Sequence, residues 1–155
     1  MSRSRAVLLA AGGLTLVAAT VAVVVVVASG RSATMSPERF LAQVHEVCTE
    51  YGERLDTIEP PTDLTLAVDV HASLAAALPV LREEAEAVRA IPPPPSLKQD
   101  LAEFFDLTDR SLVALEASMR AAGELALYPM ATALWRFEDL RDQAKLVATR
   151  IGFDC

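Results

Sequence analysis

The stretch Ile91-Pro92-Pro93-Pro94-Pro95 followed by SLKQDLAEFFDLTDRSLVALEASMRAA (residues 96–122) decides the fold class. Four prolines in succession neither continue a helix nor donate to a sheet ladder, so the chain breaks there. Beyond the break, Leu97, Leu101, Phe104, Thr108, Leu112, Leu115, Met119 and Ala122 recur at steps of three and four, which is one face of a helix. Ser96 with Gln99 three positions on reads as a capping box and places the helix start there.

The same period extends outward on both sides. Toward the amino terminus, Pro60-Pro61 separates two further helical segments. The first opens Ser36-Pro37-Glu38, a good N-cap followed by a proline suited to the first turn and an acid suited to the helix dipole. Its stripe is Phe40, Leu41, Val44, Val47, Cys48, Tyr51, Leu55 and Ile58. The second starts near Thr62-Asp63 and carries Leu64, Ala67, Val68, His71, Leu74, Leu78, Leu81, Ala85 and Val88, with Pro79 expected to kink it. Toward the carboxyl terminus, Gly123 and Pro129 set off a fourth segment with Met130, Leu134, Phe137, Leu140, Ala144, Val147 and Ile151. Pro129 belongs either to the first turn of that helix or to a kink inside it. No alternating strand pattern occurs. Helices of matched length, about 23–28 residues each, joined by short loops predict an all-α fold in which residues 36–155 form an up-down-up-down four-helix bundle.

Residues 1–31 read differently. Arg3 and Arg5 precede an uncharged run of 23 residues, Ala6–Ala28, and Arg31 follows it. As a helix the run spans roughly 35 Å, enough to cross a bilayer core of about 30 Å. It is longer than the apolar core of a cleaved signal peptide, which favours an uncleaved, single-pass transmembrane signal-anchor; cleavage at Ala28-Ser29-Gly30 is the alternative. The positive flank stays inside. The bundle is therefore expected outside the cytoplasmic membrane, anchored in membrane lipid through residues 6–28, or secreted if the segment is cleaved.

Charge excludes one partner class. From Glu38 onward the chain has 11 basic and 21 acidic residues, which leaves no footprint for nucleic acid. Asn is absent, so there is no N-glycosylation sequon. Chemistry is equally thin. The only histidines, His45 and His71, lack a glutamate three positions earlier, as a di-iron bundle would need. No Cys/His clustering suggests zinc, no Cys-x-x-Cys-His suggests haem, and no Gly-x-Ser-x-Gly elbow or phosphate loop is present in the segments after residue 36. No catalytic residue, cofactor or metal ligand is assigned, and the chain is not expected to be an enzyme.

His71 alone interrupts an apolar stripe. Counting across the loops places it level with Tyr51, Leu115 and Trp135; it is expected to be a core or boundary histidine hydrogen-bonded to Tyr51 or to a backbone group, or else a ligand or pH-sensing position, with Tyr51 and Trp135 beside it. Ala75, Ala76, Ala77 and Pro79, set opposite Phe104 and Phe105, would leave a cavity. Two functions follow: a non-enzymatic interaction module with an envelope protein as partner, or a bundle that binds a small molecule or lipid.

The two cysteines, Cys48 and Cys155, are the expected count for one bridge in an oxidising compartment. The enclosed loop exceeds 100 residues, and Gly152 would reverse the tail toward the first helix. An intermolecular bridge is the alternative. Cys48 and the ending Ile151-Gly152-Phe153-Asp154-Cys155 also carry a resemblance. The chain is similar to small membrane-anchored or secreted helical proteins of actinobacteria, with a cysteine in the first helix and a terminal Leu/Ile-Gly-x-x-Cys. That resemblance implies a helical fold and an extracytoplasmic location, and no site residues.

Overall fold

The computed structural model describes residues 35–153. Among them the protein is all-helical, with four α-helices and no strand: α1 (Pro37–Asp56), α2 (Ala67–Ala90), α3 (Lys98–Gly123) and α4 (Leu127–Ile151). None of these helices is long and apolar enough to cross a membrane. The anchor expected at Ala6–Ala28 lies outside the described residues.

The start of α1 follows its sequence. The Ser36 hydroxyl accepts from the Arg39 amide at 3.3 Å, and Pro37 occupies the first helical position. Its end is set by Thr57, whose hydroxyl donates to the Arg54 carbonyl at 2.7 Å, and by the prolines that follow. The start of α2 departs from expectation. Asp63 does not open the helix. Its carboxylate accepts from both the amide and the hydroxyl of Thr65, each at 2.8 Å, closing a local turn that competes with helix formation. Those bonds hold the Asp63 carboxyl below the usual carboxylate range. Helix α2 therefore begins four residues later, and Leu64 is exposed in the connection. It then runs through Pro79, whose exposed position lets water serve the carbonyl left without a partner.

Before α3, a 3₁₀ turn at Pro95–Leu97 replaces the capping box, and no side-chain cap bond forms at either helix start there. Pro129 sits in the first turn of α4, where its missing N–H costs nothing. At the far end Gly152 adopts φ 75° and the Phe153 amide donates to the Ala148 carbonyl at 2.8 Å. This left-handed cap reverses the chain, as the glycine predicted.

Neighbouring helices run antiparallel. Arg89 meets Asp109 near one end of the α2–α3 pair, while His71 meets Met119 near the other. Arg150 pairs with Asp100 and Glu103, while Ser118 reaches Met130. The exposed ion pairs mark register and contribute little stability each.

The core is uneven along its length. At one end, here the closed end, Phe40, Val44 and Cys48 of α1 pack with Val88, Leu101, Ile151 and Phe153, so all four helices contribute. Phe153 stacks edge-on against Phe104, with ring centroids 4.8 Å apart. In the middle, Leu107, Ala114, Leu140, Ala144 and Val147 join α3 to α4. At the other end Ala67, Val70, Ala121, Ala122 and Met130 make a core from α2, α3 and α4 without α1. The cause is the slip of α1. Arg54, near its end, bonds Glu83 in the second half of α2, and the connection after Asp56 runs back past Ala72, Ser73 and Ala76. The bundle is thus four-membered at the closed end and three-membered at the other.

One carboxyl sits uncomfortably in this arrangement. Glu84, half-buried on α2, is pushed above the usual carboxylate range by burial. The folded state then binds its proton more tightly than the unfolded chain, so stability is lost as pH rises through the folded value. Glu84→Gln is expected to raise the melting temperature at pH 7, with a gain that shrinks toward about pH 4. Calorimetry at the two pH values checks it.

Candidate interaction surface

The three-membered end is closed by an unusual turn. Helix α3 ends in a six-residue reversal in which the Ala126 amide donates to the Ala121 carbonyl at 2.8 Å and the Leu125 amide to Ala122 at 3.0 Å. The left-handed position that glycine usually fills is held by Leu125, at φ 56°. Gly123 is two residues too early to serve. It is needed instead for close approach: a Cβ there would lie 3.1 Å from the His71 ring. Across this contact His71 Nδ1–H donates to the Met119 carbonyl at 3.0 Å.

Leu125 is 66% exposed, and it is not alone. Leu66, Val68, Leu125 and Leu127 line one shallow hollow. Leu64, Leu134 and Trp135 line the next, about 440 Å³ in volume, over Met130. Tyr128 is 83% and Trp135 79% exposed. Of the large apolar side chains that face solvent among the described residues, all but Val113 and Leu146 belong to this end or its flank. A monomer in water gains nothing by presenting such a surface. Carboxylates of Asp63, Asp69 and Glu138 stand on or beside it.

The residues singled out in the sequence fare differently. His71 bonds a backbone carbonyl, one of the two partners expected, but it is exposed and so not a buried position. Trp135 is exposed on α4, and Tyr51 stands on α1 against the Arg54 guanidinium, 4.6 Å from the ring centroid. The three do not form one site. The slip of α1 toward the second half of α2 carries Tyr51 several turns from His71. The cavity expected between Ala75–Pro79 and Phe104–Phe105 is also absent. Ala75 and Ala76 face solvent, while Phe104 and Phe105 pack at the closed end beside Phe153 and Arg89. Cys48 is buried at the closed end, and its expected partner Cys155 lies outside the described residues. Among the described residues no three His, Cys, Asp or Glu side chains converge as metal ligands would. No known protein family, curated protein or solved structure matches the chain.

Leu66, Leu125 and Leu127 fall outside the helical stripes: Leu66 lies inside the second segment but off its face, and Leu125 and Leu127 lie between the breaks at Gly123 and Pro129. A signal was present: Leu125-Ala126-Leu127-Tyr128 is a continuous apolar run between Gly123 and Pro129, where a surface loop would be polar. The strain at Leu125 gives a test. Leu125→Gly removes a left-handed cost of about 1 kcal/mol and little buried area, so it is expected to raise the melting temperature. A chemical denaturation midpoint measures the gain, and a fall would show that Leu125 packs more than its exposure indicates.

Proposed function

We propose that the protein is a membrane-anchored, extracytoplasmic helical bundle that acts as a non-enzymatic interaction module of the cell envelope. The observation that carries this reading is the exposed apolar end formed by Leu64, Leu66, Val68, Leu125 and Leu127. The apolar run Ala6–Ala28 and the Arg3/Arg5 bias support anchoring and the outward orientation. An envelope protein is the partner that this surface suits. Its central residues are leucines, its rim is acidic, and interfaces with an apolar core and a polar rim are of this kind.

The reading is tested on the full chain. Leu66→Asp with Leu127→Asp places two charges on residues that are 50% and 53% exposed, so the melting temperature should hold. The native assembly extracted from membranes in mild detergent should fall to the mass of the single chain. An assembly that survives both substitutions would reject this end as the contact. Intact mass of the same material tests the anchor, since a chain beginning near Arg31 would mean a cleaved segment.

A further inference from the structure

We propose that the groove between α3 and α4 binds a single-chain anionic amphiphile of the fatty-acid type, with its head at Arg110 and Arg136 and its chain running toward Tyr128. The groove encloses about 530 Å³, within the range of ligand sites. Its floor is made of the small residues Ala114, Ala117 and Ala133, and its walls are the exposed Val113 and Tyr128. Because α3 and α4 are antiparallel, Arg110 and Arg136 lie toward one end of it and Tyr128 at the other. The lined stretch of each helix covers about 12 Å.

Charge selects the head group. The chain is strongly acidic, yet this hollow carries two guanidinium groups at its mouth. The third charge there, Asp109, is bonded to Arg89. Arg110 is held only by Asp106 at 3.3 Å, within its own helix, and Arg136 makes no ion pair among the described residues. The hollows at the apolar end carry Asp69 or Glu138 instead and would repel an anion. Backbone chemistry selects the tail. Beyond the first-turn amides of α4 at Leu127 and Tyr128, both walls are helices whose amides and carbonyls are already paired, and the Thr132 hydroxyl is bonded to the Tyr128 carbonyl. An extended peptide laid in the groove would leave its own backbone groups unmet, whereas a hydrocarbon chain has none to satisfy. This inference does not depend on the partner proposed above.

The test uses the full chain in phosphatidylcholine nanodiscs and a photoactivatable palmitic acid with its diazirine at mid-chain, where its reach from the carboxylate matches the length of the groove. Cross-links mapped by mass spectrometry should fall on Val113–Ala117 and Tyr128–Ala133. Unlabelled palmitate should compete, while hexadecanol and hexadecyltrimethylammonium should not. Competition by lysophosphatidic acid as well as palmitate would assign a phosphate head as an equal source; competition by palmitate alone would assign the free acid. Arg110→Glu with Arg136→Glu should cut labelling about tenfold at an unchanged melting temperature, the loss of charge-assisted contacts on exposed residues. Ala117→Trp, which fills the floor and keeps both arginines, should abolish labelling. Labelling that persists in the charge-reversed variant, that hexadecanol competes equally, or that spreads over Leu66 and Leu127 would overturn the proposal.

Discussion

Loss of the proposed Cys48–Cys155 bridge is expected to destabilise the protein by about 2–5 kcal/mol, the usual range for a native disulfide. The loop it closes exceeds 100 residues, which by chain entropy gives about 4.7 kcal/mol as an upper figure. The placement supports the pairing. Cys48 is 8% exposed and shares its cluster with Phe153, the residue that the Gly152 cap turns inward. Non-reducing mass spectrometry of the full chain should show a monomer lighter than the reduced form by two hydrogens. Cys48→Ser should lower the melting temperature at least as much as reduction does, since it also sets a hydroxyl among apolar side chains. A doubled mass would assign the bridge to a covalent dimer, and two alkylatable thiols would remove it altogether.

Phe40→Ala is expected to cost about 3–5 kcal/mol, the range for emptying a buried aromatic site. Phe40 is 1% exposed and stands one turn into α1, the helix with the least support. It belongs to the same buried cluster as Val88, Leu101, Ile151 and Phe153, so the core around it draws on all four helices at the closed end. The cavity cannot collapse easily, since the surrounding side chains come from four separate helices. Leu146→Ala is the control: Leu146 is 73% exposed and its removal should stay within about 0.5 kcal/mol. Urea unfolding of both variants measures the difference, and equal costs would mean that the closed end is not the centre of stability.

The helix content was legible because it rests on a period of three to four and on proline breaks, both local properties. Ser36-Pro37 and Gly152 were legible for the same reason, since caps act within a turn. Register between helices was not. It depended on the connection after Asp56, where Asp63 spends its carboxylate on Thr65 and delays α2, and the slip that results separates Tyr51 from His71. The same slip leaves one end without α1. That end is where the apolar loop residues lie, so the candidate surface comes from a tertiary displacement that no local pattern encodes. His71 shows the limit from the other side. Its place in the stripe suggested burial, but Gly123 provides a niche in which the ring lies against α3 and remains exposed to solvent.

The claim that the three-membered end is the interaction surface is tested most directly by photo-crosslinking in the native cell. A benzophenone amino acid is placed singly at Leu66, Leu127 and, on the exposed side of α4 nearer the closed end, Gln143. The full chain is irradiated in intact cells and its adducts are weighed. One discrete protein adduct is expected from Leu66 and Leu127 and none from Gln143, with loss of the adduct when Leu125→Asp is added. Adducts from Gln143 alone, or irradiation that leaves all three positions unlinked to protein, would contradict it.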